Sequence, residues 1–466
     1  MRSITATIIT IALLFATESA RCQNSVVAPR AGPATAGPMG VAGPGSNPAQ
    51  GQLEAKPAAK PMPSTPASRS AAALALSSEP TFDEGTAQRI REAALSYSAL
   101  AVRGGWPTIP ADAKFAWGVR GPHDDLLRAR LIVSGDLAAD QLSGAYDDVL
   151  AAGVKRFQAR HGLAATGSMT PRTLAALNVP VQKRIQQLEA SLERVVNMGF
   201  GFGQRYVVVN IPATYAEAIE NDKVVRRYRV IVGKTEKPSP TLTAEITNVN
   251  LNPTWTVPVS ITKNEIAAHM RKDPNYLARM HMELLDTRDG VLDPQVVDWS
   301  AVHTPNFTVR QQSGSWNALG SVRIDMPNAY SVYMHDTNHK EFFSADYRFQ
   351  SSGCTRVEDP RALATWLLAE TPGWGRHEID AGIARGERTD IRLTRKLPVA
   401  WVYLTGWATR DGLIHFRDDV YGHDDKPALV ADARPRVASA ARAGGFVLQS
   451  VDPEPQYKQV SYLDSQ

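Results

Sequence analysis

The sequence predicts an α+β protein, with a small all-α domain ahead of a mainly-β domain that carries a helical insertion. Three observations lead there. Apolar residues recur at helical spacing between Thr86 and Val196, the period switches to that of strands from Arg205, and helical stretches at about 261–303 and at Pro360 to Glu370 interrupt the strands. At 466 residues the chain exceeds one ordinary domain. Its 43% hydrophobic and 21% charged residues fit a soluble globular protein, and a formal charge of +4 makes no case for nucleic acid or a membrane surface as partner.

Arg2 precedes an apolar run from Ile4 to Ala16, and small and polar residues follow, including Ser19 and Ala20. A charged start, an apolar core and a small-residue exit make the order of a secretory signal peptide, expected over residues 1–22. The run is too short to span a bilayer comfortably, and no other stretch is apolar enough, so no membrane span is expected in the mature chain. Cys22 invites a lipid anchor, but Arg21 just before it fits such a site poorly. Residues 23–82 are rich in Ala, Pro, Gly and Ser and nearly free of aromatics, so a disordered linker is expected.

Residues 83–145 read as a helical scaffold segment, with Ile90, Ala93, Ala94 and Tyr97 on one helix and Leu126, Leu127, Leu131 and Ile132 on another. A compact unit is expected over residues 146–180. Leu150, Val154 and Phe157 line a helix that stops near His161-Gly162, and Thr170-Pro171 reads as an N-cap with proline at the first helical position. A connecting helix, 181–203, places Ile185, Leu188, Leu192 and Val196 on one face.

Residues 204–425 form the strand-rich domain. Tyr206 to Ile211 and Val224 to Val232 flank an Asn-Asp-Lys turn at 221–223 and predict a hairpin. Strand-like runs return at Ile246 to Leu251, Val322 to Met326, Ala329 to His335, Val399 to Tyr403 and Leu413 to Phe416. A charged, Met-rich insertion at about 261–303 reads as helical, and a C-terminal tail occupies 426–466.

The chain has two cysteines, and loss of the signal peptide leaves Cys354 as the single thiol. Such a thiol in an oxidising compartment is either a buried small hydrophobe or a nucleophile. Its setting favours chemistry. A strand-like run ends in His335, and the small residues Ser351-Ser352-Gly353 lead into Cys354. Cysteine acyl transfer needs a base to raise the thiolate fraction, which a histidine supplies, and backbone N–H groups aimed at the developing oxyanion. Ser352 and Gly353 suit that second need, because glycine lets the backbone approach a substrate closely. Arg356 either braces the loop, binds a substrate carboxylate or makes a structural ion pair. Strand alternation puts Tyr333 on the face of His335 and turns Asp336 away, which argues against the Asp336 carboxylate as orienter of the imidazole and leaves that partner unassigned, since a backbone carbonyl would serve. His335 and His339 also have the i, i+4 spacing of a zinc helix. The residues before them read as strand, and Asp stands where that motif has its general-base Glu, so no metal is expected.

In these residues the chain resembles the L,D-transpeptidases with a YkuD-type catalytic domain, and within them the large YcbB-like branch. The resemblance runs from about Tyr146 to Asp424. It rests on Val230-Ile-Val-Gly233, Pro238-Ser239-Pro240, Asn252-Pro-Thr-Trp-Thr-Val-Pro258, Asn317-Ala-Leu-Gly320, Pro327-Asn328, His335-Asp-Thr337, Ser351-Ser-Gly-Cys-Thr-Arg356 and Tyr421-Gly-His-Asp424. It implies Cys354 as nucleophile, His335 as general base and acid, a capping subdomain at about 261–303, and no cofactor. It implies a periplasmic enzyme acting on peptidoglycan stem peptides as donor and acceptor, with wall-linked outer-membrane proteins as further candidate acceptors. Residues 146–179 resemble a peptidoglycan-binding module, with Thr166-Gly167 where that module often has Asp-Gly; a scaffold role fits it equally well. A hydrolase of the same fold and a non-catalytic wall-binding protein are the alternatives.

Overall fold

The computed structural model describes residues 65–302 and 305–425. The expected signal peptide, the linker as far as residue 64 and the tail 426–466 lie outside the described residues.

Residues 65–82, expected as the end of the linker, form structure instead. Helix α1 (Pro66–Leu76) begins with Thr65 accepting from the Ser68 N–H at 3.1 Å and with proline at its first position. Its partners come from far along the chain. The Arg227 N–H donates to Ser70 Oγ, and the Arg227 guanidinium donates to the carbonyls of Ala73, Ser77 and Glu79. Composition read locally cannot show those bonds.

Helix α2 (Thr86–Val102) buries Ile90, Ala93, Ala94 and Tyr97. Helices α3 (Asp124–Val133), α4 (Asp148–Arg160) and α5 (Pro171–Leu177) surround a core of Ile109, Leu127, Leu131, Tyr146, Leu150, Val154, Phe157 and Leu177. Asp147 caps α4 through the Leu150 N–H at 2.8 Å, and Thr170 caps α5 through the Thr173 N–H at 3.1 Å. Because Leu127 and Leu131 belong to this core, the helical module begins well before Tyr146. Helix α6 (Val181–Val196) leaves the module and packs with α2, Tyr97 and Leu188 sharing one cluster with the outer face of the following strands.

The strands β1 (Arg205–Asn210), β2 (Tyr215–Glu220), β3 (Lys223–Gly233) and β4 (Leu242–Leu251) open the second domain. Asn221 and Asp222, both at positive φ, make the β2–β3 turn. The insertion that follows is not simply helical. It holds β5 (Trp255–Thr256), short helices α7 (Val259–Ile261), α8 (Ala267–Lys272) and α9 (Tyr276–Arg279), and β6 (Met282–Leu285), β7 (Val291–Leu292) and β8 (Thr308–Gln311). The order β5-β8-β6-β7 makes a four-stranded sheet. Val309 and Leu284 are buried with Ile266, Met270 and Trp299 only once β6 and β8 pair. Each of these strands spans four residues or fewer, too few to show an alternating pattern.

Then come β9 (Val322–Asp325), β10 (Met334–His335), β11 (Phe349–Ser351), β12 (Thr355–Val357), helices α10 (Pro360–Leu367) and α11 (Arg376–Ala384), β13 (Thr389–Val402), and the hairpin β14 (Gly406–Ala408)–β15 (Ile414–Phe416). The expected strand at Ala329 to His335 shrinks to β10, because the Asn328 carboxamide bonds Tyr330 N and Val332 O and Ser331 takes a positive φ, making a turn there. Pairing runs β1-β2-β3-β12-β10-β9-β4-β13 and returns to β1, with β11 beside the end of β3. Along β1, Val207 and Val209 face the core shared with α10 and α11, while Tyr206 and Val208 face α2 and α6. Burial on both faces explains why β1 reads as a continuous apolar run. Among the described residues no helix is long and apolar enough to cross a membrane.

Candidate active site

The site forms where β10 and β12 run parallel. Their register pairs Met334 with Thr355 and His335 with Arg356. Met334 faces the core. Alternation then puts His335, Arg356 and, one step outside the strands, Tyr333 and Cys354 on the opposite face. The Thr355 N–H donates to the Tyr333 carbonyl at 3.1 Å, so the pairing extends to those two residues. On the other side β9 pairs antiparallel with β10 and sets Arg323 opposite His335. Arg323 lies over the Tyr333 ring, 4.5 Å from its centroid, and is ion-paired with Asp325 at 2.6 Å.

His335 is buried, and its Nδ1 lies 2.5 Å from the Asp336 carbonyl oxygen. That contact fits an Nδ1–H donor and leaves Nε2 as acceptor. Burial, with Arg356 and Arg323 nearby, pushes the imidazole pKa down to about 3 despite the pull of Asp336. Burial also pushes the half-buried Cys354 thiol up to about 11, against a backbone hydrogen bond at Tyr333 and the charges of Arg323 and Arg356. At neutral pH the resting site therefore holds a thiol and a neutral imidazole. Tyr333 meets His335 edge to face at 5.6 Å; burial pushes its hydroxyl pKa up, with Trp255 of β5 near enough to pull it slightly back, so the inserted sheet lies close to the site.

The other residues singled out in the sequence fall into place around this row. The Asp336 carboxylate turns away, accepting from Ser321 N–H and Oγ at 2.9 Å and from Thr337 N–H at 2.8 Å, and pairing with Lys340. It anchors the turn after Gly320; its contribution to the imidazole is the main-chain carbonyl. His339 Nδ1 faces Glu341 at 3.1 Å, a different partner from that of His335. Among the described residues no group of three or more His, Cys, Asp or Glu could hold a metal ion. Ser352 is exposed at the tip of the turn, and Gly353 sits at φ +115° with its N–H on Ser351 Oγ at 3.2 Å. A Cβ at Gly353 would meet nothing closer than 3.8 Å, so the backbone angle, not space, demands glycine. Gly353→Ala is expected to re-set that turn and slow reaction at Cys354 by on the order of 10²-fold. Timed mass spectrometry with an acylating probe reads this directly, and a rate within twofold of wild type would show that the turn tolerates a side chain.

Sequence reasoning gave no role to Arg323, nor to Ser351, Ser239 and Tyr421, although the last three stand in the motifs quoted above. Arg323 was recoverable in principle, since the run Val322 to Met326 alternates and puts Arg323 and Asp325 on one face. The others act through contacts spanning up to 188 residues.

With this geometry in view, comparisons with known proteins give a consistent result. Residues 204–376 match the family described as "L,D-transpeptidase catalytic domain" (YkuD), and residues 121–177 match "Putative peptidoglycan binding domain". A "Putative L,D-transpeptidase" of Haemophilus influenzae is 31% identical over 219 residues, 47% of this chain and 44% of that protein, so the chain spans less than half of this relative. Among solved structures, L,D-transpeptidase 1 of Mycobacterium tuberculosis is 13% identical over 43% of this chain and 61% of its own, with a TM-score of 0.18. The L,D-transpeptidase of Stackebrandtia nassauensis is 11% identical over 63% of this chain and 97% of its own, with a TM-score of 0.24. Scores of that size add nothing to the family matches. The helical module, matched from residue 121, starts earlier than the 146 expected from the sequence, in keeping with the place of α3 in its core. Residues 204–376 thus match the YkuD family of L,D-transpeptidase catalytic domains, and residues 121–177, ahead of them, match a putative peptidoglycan-binding family.

Proposed function

We propose that this chain is an exported, periplasmic cysteine acyltransferase of the YcbB-like branch that forms 3→3 cross-links between peptidoglycan stems. The observation that carries the reading is the parallel β10–β12 register, which puts Cys354, Tyr333, His335 and Arg356 on one face while Asp336 fixes the imidazole tautomer. Cys354 Sγ attacks the carbonyl of the third residue of a tetrapeptide stem as His335 Nε2 takes the thiol proton. Collapse of the tetrahedral intermediate breaks the peptide bond; His335 returns the proton to the leaving amine, the terminal D-amino acid departs, and a thioester remains. The side-chain amine of a neighbouring stem then attacks the thioester, loses its proton to His335, and releases the thiol. The Cys354 N–H, at the end of the Ser352-Gly353 turn, receives the oxyanion in both halves. Arg356 and the neighbouring Arg323 add positive potential where negative charge develops. The helical module holds the enzyme on the polymer, and wall-linked outer-membrane proteins compete as acceptors for the same thioester.

Product analysis on purified tetrapeptide muropeptides is the test. Cross-linked dimers with loss of one terminal D-amino acid are expected from wild type. Shortened monomers alone would replace the transferase with a hydrolase, and unchanged substrate would remove the catalytic reading.

A further inference from the structure

We propose that Tyr421, acting through Ser239, is a positioning residue that aims the Cys354 N–H at the acyl oxygen, so that a side chain well beyond the end of the family match at residue 376 completes the catalytic turn. This rests on the acyl-transfer reading and deepens it.

Gly353 and Cys354 share one planar trans peptide, so whatever holds the Gly353 carbonyl also points the Cys354 N–H in the opposite direction. Ser239 holds it. Its hydroxyl donates to the Gly353 carbonyl at 2.8 Å and accepts from the Gly233 N–H at 2.9 Å, and the side chain is only 3% exposed. Tyr421 holds Ser239 in turn. The Tyr421 hydroxyl accepts from the Ser239 N–H at 3.3 Å and donates to the Gly233 carbonyl at 2.5 Å, bridging both ends of the 233–239 loop. A Cβ on Gly233 would collide with the backbone of Lys237 and Ser239, so that loop closes as tightly as it can. The turn is also fixed from β3, with the Lys234 N–H on the Ser351 carbonyl at 2.9 Å, and the Ser351 hydroxyl on the Cys354 carbonyl at 2.5 Å.

What sets Tyr421 itself lies outside the catalytic strands. Its ring stacks on Tyr403 at 5.3 Å and meets Phe349 edge-on at 5.8 Å. Its N–H donates to the Tyr403 hydroxyl at 2.8 Å, which donates to Asp419 at 2.7 Å. Asp419 also accepts the N–H groups of His423 and Asp424, and Asp424 pairs with Arg194 of α6 at 2.8 Å. A chain of short polar contacts thus runs from α6 to the carbonyl beside the nucleophile.

The test uses the full chain and two reactions of the same thiol. Acylation by a carbapenem develops an oxyanion; alkylation by iodoacetamide does not. Ser239→Ala is expected to slow acylation about 10²-fold, the cost of misdirecting one oxyanion donor, and Tyr421→Phe, which keeps the ring, about tenfold by the same principle. The double variant is expected to be no slower than Ser239→Ala alone, because the tyrosine acts through the serine. Alkylation is expected to stay within twofold throughout, which also reports an intact site. Equal losses in both reactions, acylation by Ser239→Ala at the wild-type rate, or additive effects in the double variant would each overturn the inference. A wild type that alkylates but never acylates would instead refute the acyl-transfer reading on which it rests.

Discussion

Acylation by a carbapenem is expected to vanish in Cys354→Ala and to slow by about 10² to 10⁴-fold in His335→Ala, the range a positioned general base supplies. The pH dependence is the more telling half of this experiment. The buried imidazole pKa lies at about 3, below its ordinary 6.5, and the thiol at about 11, above its ordinary 9.0. Both shifts favour the uncharged forms. On the proposed mechanism the reactive resting state is then a neutral thiol with a neutral imidazole, and proton transfer accompanies attack. His335 loses its function only when protonated, so as pH falls the wild-type rate should hold through 6.5 and decline only as pH approaches the depressed pKa. An acid limb centred between pH 6 and 7 would show an imidazole with an ordinary pKa and sink this account. A resting thiolate, detected by ultraviolet absorbance at neutral pH and lost in His335→Ala, would replace it with an ion pair.

How much of this was legible in the sequence depended on how local the signal was. Helix α4 announces itself through Leu150, Val154 and Phe157 at helical spacing, and α5 through Thr170-Pro171, where the Thr170 capping bond closes within three residues. Cys354 and His335 could be nominated from chemistry, because an acylating thiol needs a base and a small-residue turn, and the β10–β12 register puts the two on one face. The imidazole's partner was partly readable: alternation turned the Asp336 side chain away, and the carbonyl took its place. Three features were not readable, each for the same physical reason. The ordering of residues 65–82 depends on Arg227 and, through the Ser78 carbonyl, on Val224. The sheet in the insertion forms from strands as short as two residues whose burial appears only on pairing. The clasp of Tyr421 on Ser239 joins residues 182 apart in sequence. Patterns within a window of a dozen residues cannot carry such information.

The junction between the helical module and the strands supplies the largest expected change in stability. Asp136, 2% exposed, accepts from Arg160 Nε at 2.7 Å and Nη2 at 2.5 Å, and from Ser134 Oγ at 2.6 Å. Arg160 reaches on to the Ile414 carbonyl at 2.8 Å, while Arg417 donates to the Arg160 carbonyl at 2.8 Å. Arg130 and Arg184 are buried nearby, and burial together with the charge of Arg160 pulls their pKa values to about 9 and about 10. Asp136→Ala removes the carboxylate from among these cations and leaves Arg160 charged and uncompensated, a loss of about 3–5 kcal/mol in denaturant unfolding. Arg160→Met alone strands the Asp136 carboxylate and should cost a similar amount. Removing both, as Asp136→Leu with Arg160→Met, should cost clearly less than the two singles added together, because no buried charge is then left unpaired. Strict additivity would mean that each side chain acts through separate contacts and that the pair itself contributes nothing. Because Arg160 holds Ile414 of β15, the loss should appear in one cooperative transition seen by probes in the module and in the strands alike; a separate early transition of the module would show that the junction does not couple them.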